Sequence, residues 1–261
     1  TNADVSVLAR AANNLGVLAD IGIPVPRVVA YDDSCDHVAF SVLVMTKLRG
    51  RDLGFELPAM SRPQMTRLAE QITEMQRKVA TLPSGTGCGF VGIGDAATRT
   101  WADVVRHPTF KPPVENWPDD CADLVPRVNA LIDLVEPHLA AVTPVCFLDD
   151  VTTKNVLVED FALTGVVDFD VVCHGDPLFQ IALTGASIAA GFPAKCAFYV
   201  RELTRLAQPT RQQKALLALY EAVFLTQFLL SGSTEEDSQW CAATASVANN
   251  RLDDVEQFFA C

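Results

Sequence analysis

Asp150, Asn155 and Asp168 lie in one stretch, CFLDDVTTKNVLVEDFALTGVVDFDVVCHGDPLF, residues 146–179. Their types and order suit phosphoryl transfer. A carboxylate such as Asp150 can accept the proton of an attacking hydroxyl. An amide oxygen and a second carboxylate, here Asn155 and Asp168, are hard oxygen ligands for a Mg²⁺ ion bridging nucleotide phosphates. Taken singly, each has a plainer reading, because Asp and Asn before strands commonly form turns or caps. Asp176 before Pro177 reads as such a cap, with proline in the first helical turn. Asp170 shares the parity of Asp168 and can face the same side of its strand, with a solvated loop carboxylate as the default.

Two short elements must position this set. VLV (156–158) and LTGVVDF (163–169) are rich in branched apolar residues and are separated by EDFA, a hairpin turn. Antiparallel pairing then brings Asn155, just before the first strand, beside Asp168 at the end of the second. Asp150 falls in the loop ahead of the hairpin. A carboxylate closing a run such as GVVDF needs a partner or a metal if it is buried.

The segment resembles the aminoglycoside phosphotransferase and choline kinase-like family, relatives of the protein kinases. That family's loop usually reads H-G-D-x-x-x-x-N, followed by G-x-I-D-[FW] and a G-D-P turn. The matching residues are Asp150, Asn155, Gly165, Asp168, Gly175, Asp176 and Pro177. The resemblance implies that Asp150 is the catalytic base and that Asn155 and Asp168 bind Mg²⁺. Leu148 and Asp149 stand where His and Gly are usual, the His being a loop-bracing residue. Gln180 stands where the next helix usually carries Asp. The resemblance also implies a hinge at Met45 to Leu48. Backbone groups of Thr46 and Leu48 would meet the adenine edge of ATP, and Met45 would pack nearby.

A chain of 261 residues can bury a substantial core, as one large domain or two unequal lobes. With 49% hydrophobic and 20% charged residues, its composition is ordinary for a globular enzyme. The net charge of −12, with no Lys/Arg cluster, argues against a nucleic-acid partner. It suits a cationic substrate, or simply solubility. Without a run of about 18 uncharged apolar residues or a charged-then-apolar leader, neither a membrane span nor secretion is expected. Eight scattered cysteines, none in a C-x-x-C pair, read as mostly buried free thiols in a reducing cytoplasm.

Elsewhere, Val5 to Asp20 has helical apolar spacing, and IGIPVPRVVAYDD leads into a strand. A further strand covers FSVLVMTKLRG. Ser61 to Thr81 is a long amphipathic helix with a cap at Ser61 and Pro63 in its first turn. About 121–142 is another, with Pro137 as a kink or break. After Pro177 the chain reads helical over about 178–190, 194–207, 210–231 and 235–259. SGTGCGFVGIG (84–94) contains G-x-G-x-x-G, but a dinucleotide fingerprint needs a strand before it and a helix opening directly after it; here a long helix precedes it and ATRTW follows, so it reads as a mobile loop bordering the substrate cleft. His37, His107, His138 and His174 form no nucleophile motif; His174 is nearest the proposed metal site.

These readings predict an α+β, protein kinase-like two-lobed fold. An N-terminally incomplete small lobe (1–50) would end in the hinge. A mostly helical large lobe (51–261) would carry the catalytic loop, metal site and acceptor-binding helices. Glu221, Glu235, Glu236 and Asp237 are candidate acceptor carboxylates. The family's phosphate-covering hairpin and phosphate lysine have no counterpart ahead of the first helix, and Ala11 falls where a Glu is expected. The expected activity is an ATP- and Mg²⁺-dependent transfer of the γ-phosphate to a small-molecule hydroxyl, for instance on an aminoglycoside-like antibiotic. The partners would be nucleotide and small-molecule acceptor, with no nucleic acid and no membrane, in the cytoplasm. The alternative is a degenerate kinase-like module that binds a nucleotide or partner without catalysis.

Overall fold

The computed structural model describes residues 2–36, 38–106, 121, 123–231 and 238–259. His37, His107, Cys261, Glu235, Glu236 and Asp237 lie outside the described residues. The chain forms two compact units, Thr1–Thr98 with Pro144–Gly175, and Arg99–Thr143 with Asp176–Cys261.

The first unit opens with helix α1 (Asn2–Asp20), which ends ahead of Gly22 at φ 77°. Strands β1 (Val28–Asp32) and β2 (Val42–Met45) follow as an antiparallel pair. Beyond them come β3 (Arg51–Asp52), the short helix α2 (Leu53–Glu56) and the long helix α3 (Arg62–Val79). The start of α3 is set by a capping box between Ser61 and Gln64, with Pro63 in the first turn. Its apolar positions Met65, Leu68, Ile72, Met75 and Val79 are buried, as the three-to-four spacing predicts.

Strand β4 (Gly89–Val91) and, after the second unit's insertion, β5 (Val145–Phe147), β6 (Val156–Glu159), β7 (Ala162–Val166) and β8 (Val172–Gly175) complete this unit. They form two three-stranded antiparallel sheets, ordered β3-β6-β7 and β4-β8-β5. The glycine-rich stretch expected to be a mobile loop is thus partly a strand, with Phe90 paired to Cys173 of β8. Its glycines serve packing. A Cβ at Gly87 would lie 2.0 Å from the carbonyl oxygen of Ala97, and one at Gly92 would meet Asp95 and Arg10.

The second unit holds α4 (Trp101–Arg106), α5 (Leu124–Ala140), α6 (Leu178–Gly191), α7 (Ala197–Ala207), α8 (Arg211–Ser231) and α9 (Ser238–Phe259). Pro137 lies inside the last turn of α5 without ending it. By length and composition α8 is apolar enough to cross a membrane. Most of its residues are buried, from Ala215 through Leu229. The core beside it is aromatic: Trp101, Phe179 and Tyr220 meet edge to face, and Phe179 leans on Phe224. Within it, Trp101 Nε1 donates to the Tyr220 hydroxyl at 2.9 Å, which donates to Asp176 Oδ2 at 3.1 Å. The other Asp176 oxygen accepts the N–H of Leu178, so this carboxylate caps α6 as its place before Pro177 predicts.

Candidate functional site

The hairpin expected from the sequence is present. β6 and β7 pair antiparallel with Val156 opposite Val166. The turn is only Asp160 and Phe161, both left-handed at φ 52° and 62°, as a two-residue type I′ hairpin requires. Val167 N–H donates to the Asn155 carbonyl at 2.9 Å, so Asn155 and Asp168 lie one residue out of register at the open end of the hairpin.

Asn155 is buried, and its side-chain N–H donates to the Asp150 carbonyl at 3.1 Å. With the amide nitrogen held there, the amide oxygen is what the residue can offer a cation. Asp168 is exposed and has φ 72°, a left-handed backbone that costs a non-glycine residue about 1–3 kcal/mol. Since its carboxylate is hydrated, the burial argument for a partner does not apply. Strain at this position is of the kind found at ligand clamps. The donors are all hard oxygens, which fits Mg²⁺. Among the described residues no three His, Cys, Asp or Glu side chains converge as a metal cage. An ion here would therefore also need water or phosphate oxygens.

Asp150 is half-buried, and its Oδ1 accepts the Thr152 hydroxyl at 2.7 Å. The loop that carries it is braced from α3. Gln76 Nε2 donates to the Leu148 carbonyl at 2.7 Å and Gln76 Oε1 accepts the Leu148 N–H at 3.0 Å. Leu148, where the resemblance leads one to expect a bracing histidine, is fully buried and clamped through its backbone instead. Asp149 is also half-buried. Burial, with the negative Asp150 and Asp170 nearby, pushes its carboxyl up to about 7, against the pull of backbone N–H groups at 149 and 150.

The segment after Asp168 is held by α1. Buried Asn14 donates to the carbonyls of Phe169 (3.2 Å) and Asp170 (3.0 Å) and accepts the Ile93 N–H at 2.8 Å. Arg10 Nε donates to the Asp170 carbonyl at 2.8 Å. Sequence reading missed both Gln76 and Asn14. Each is a polar residue on the apolar stripe of its helix, beside Met75 and Leu15 respectively, which is the signal that could have exposed them.

Of the expected hinge, Met45 ends β2 and is exposed, and Thr46 is exposed beyond it. The Thr46 N–H donates to the Arg27 carbonyl at 2.9 Å and its hydroxyl accepts the Arg27 N–H at 2.9 Å. Leu48 packs over Gly165, where a Cβ would lie 2.4 Å from Leu48 Cδ1. The glycine ahead of Asp168 therefore lets the 45–48 segment close on the hairpin.

His174 is buried in β8, and neither ring nitrogen finds a hydrogen-bond partner among the described residues. Burial lowers its pKa. Glu221 of α8 is buried and bonded to Arg251 of α9, at 2.7 Å from Nε and 3.4 Å from Nη2. Of the described cysteines Cys35 is exposed; Cys88, Cys121, Cys146, Cys173, Cys196 and Cys241 are buried, and none of these seven is in a disulfide.

Residues 4–217 match the model of the phosphotransferase enzyme family APH. No curated protein matches the sequence. Among solved structures, the chain is similar to a thermostable mutant of the aminoglycoside phosphotransferase APH(4)-Ia in complex with ADP and hygromycin B. The TM-score is 0.65 at 16% identity, over 95% of this chain and 82% of the other. The aminoglycoside phosphotransferase APH(2″)-IIIa with GDP and kanamycin gives 0.64 at 14% identity, over 96% and 83%. A putative fructosamine-3-kinase from Thermobifida fusca gives 0.53 at 18% identity, over 97% and 80%. At these identities the structures establish a shared protein kinase-like fold. With the family model covering most of its length, the chain belongs to the APH phosphotransferase enzyme family.

Proposed function

We propose that this phosphotransferase moves the γ-phosphate of ATP to a hydroxyl of a small cationic molecule of the aminoglycoside type. The observation that carries the reading is the open end of the β6–β7 hairpin, where Asn155 and Asp168 adjoin the loop bearing Asp150. Asp150 accepts the proton of the acceptor hydroxyl as its oxygen attacks the γ-phosphorus and ADP leaves. The bond from Thr152 holds the carboxylate in place for that transfer. Asn155 and Asp168 would hold Mg²⁺, whose chemistry there would be neutralisation of phosphate charge. At the hinge the Thr46 N–H is already committed, so Thr46 offers the adenine its carbonyl and Leu48 its backbone. The net charge of −12 favours a polyamine acceptor, in line with the kanamycin and hygromycin B bound to the similar structures. The Gln76 clamp supports catalysis over a degenerate binding module, because it braces the loop despite Leu148.

The test is thermal unfolding with Mg²⁺-ATP for the parent and Asp168→Asn, followed by ADP release with kanamycin, choline and fructosamine as acceptors. A nucleotide at a hundredfold its Kd stabilises the parent by about 2.7 kcal/mol. That shift should shrink in Asp168→Asn, and ADP release should depend on one acceptor. A Mg²⁺-ATP shift without ADP release on any acceptor favours the binding module.

A further inference from the structure

We infer that the helical unit contains a second ligand site, for a small amphiphilic carboxylate, in the cavity bounded by α6, α7, α8 and α9. Its volume is about 670 Å³, within the range of sites that bury most of a drug-sized ligand. Every residue lining it belongs to the second unit, and Asp150, Asn155 and Asp168 are not among them. Glu221, a candidate acceptor carboxylate from the sequence, lines the cavity but is buried and committed to Arg251, so the inference does not rest on the proposed base or metal ligands.

The cavity lining combines hydrocarbon walls with cationic side chains. Ile181, Ile188, Phe192, Val200, Leu217 and Val247 supply hydrocarbon walls. At one side sits the Glu221–Arg251 pair. Gly185 makes room for it, since a Cβ there would lie 3.1 Å from Glu221 Oε1. Two arms of Arg251 satisfy Glu221. The third, Nη1, stands 3.8 Å from Asp254 Oδ2, beyond hydrogen-bond range, and so retains donor capacity. Arg201 and Lys214 lie on the same lining and are exposed. An adjoining recess of about 290 Å³ shares Lys214, Ala218 and Asp254 and adds Arg211.

The two linings together carry four cations, Arg201, Arg211, Lys214 and Arg251, against two carboxylates, Glu221 and Asp254. In a chain of net charge −12 this is a local reversal of sign, and it selects an anion by the field it creates. Of the two carboxylates the buried Glu221 is already paired with Arg251, which leaves the cations in excess on the lining. The hydrocarbon walls exclude a polyphosphate, whose oxygens would go unsatisfied there. A single carboxylate on an apolar body satisfies both ends, its head on Arg251, Lys214 and Arg201 and its tail against α6 and α8.

The test is isothermal titration of the chain, without nucleotide, with decanoate, decyltrimethylammonium and decanol. Saturable one-to-one decanoate binding is expected, about tenfold or more tighter than either the cation or the alcohol. The double variant R201E/K214E should weaken decanoate by about tenfold or more and bring the cation level with it. These side chains are exposed, so the variant should unfold at the parent's temperature. Arg49→Glu changes an exposed charge of the first unit by the same sign and should leave decanoate binding unaltered. Absence of saturable decanoate binding overturns the inference. So does a parent preference for the cation, an unchanged affinity in R201E/K214E, or an equal loss in Arg49→Glu.

Discussion

The side-chain amide of Asn155 is hydrogen-bonded to the main-chain carbonyl of Asp150 at 3.1 Å, tying the proposed metal ligand to the proposed base. Asn155 therefore has two jobs that substitution can separate. Asn155→Asp keeps an oxygen ligand and loses the donor, while Asn155→Ala loses both. The Ala variant should be destabilised by about 1–2 kcal/mol in urea denaturation, from the broken bond at a buried site. The Mg²⁺ concentration for half-maximal turnover should rise in Ala far more than in Asp. Identical Mg²⁺ dependence in both would remove Asn155 from the metal site.

Asp150→Asn keeps the shape and the Thr152 contact but cannot accept a proton. Turnover should fall by about 10²–10⁴-fold, the usual contribution of a general base. The Mg²⁺-ATP thermal shift should remain. Steady-state ADP release alongside that shift checks both halves, and undiminished turnover would refute the assignment.

Asn14 should be a strong determinant of stability although α1 lies far in sequence from the loop it holds. Asn14→Ala leaves the carbonyls of Phe169 and Asp170 and the N–H of Ile93 without this partner inside the protein. Unsatisfied buried groups cost about 1–3 kcal/mol each, so a total loss of about 3 kcal/mol is expected by urea denaturation. Asn14→Leu should not rescue it, which separates lost bonding from lost volume.

Asp149 should make stability depend on pH. Its carboxyl is raised in the folded protein, so between about pH 4 and 7 the native state holds a proton that the unfolded chain has released. Stability from this group is therefore greatest below pH 4, falls as pH rises, and is lowest above pH 7. Asp149→Asn removes the penalty and should be stabilising by up to about 4 kcal/mol at pH 8, less where solvent screens the site, and near neutral at pH 4. Chemical denaturation of parent and variant at both values tests this; a gain that is larger at pH 4 would contradict it.

Tyr220→Phe should cost about 2–3 kcal/mol, because it orphans Trp101 Nε1 and one oxygen of buried Asp176 together. Burial already raises the Asp176 carboxyl, and the tyrosine hydroxyl opposes that rise. Without the hydroxyl the carboxyl titrates higher still, so the deficit should grow with pH. A midpoint shift in urea that is equal at pH 5 and pH 8 would count against this coupling.

Features that depend on near neighbours were legible in the chain of residues alone. Period-two and period-3.6 patterns located the β6–β7 hairpin, α3 and the helices after Pro177. Five-residue spacing put Asp150 and Asn155 on one loop, and Asp176 before Pro177 announced a helix cap. These rest on local backbone geometry, which a short window of residues encodes. Which distant polar groups hold that loop became visible in the folded chain. Gln76 reaches Leu148 from 72 positions away, and Asn14 reaches Asp170 from 156. It also turned a glycine-rich stretch into β4 by pairing it with β8, and it set Arg251 of α9 beside the buried Glu221 of α8. Hydrogen-bond satisfaction in a packed interior is a property of the whole arrangement, because each buried donor takes whichever acceptor folding brings within about 3 Å, however far away it is in the chain.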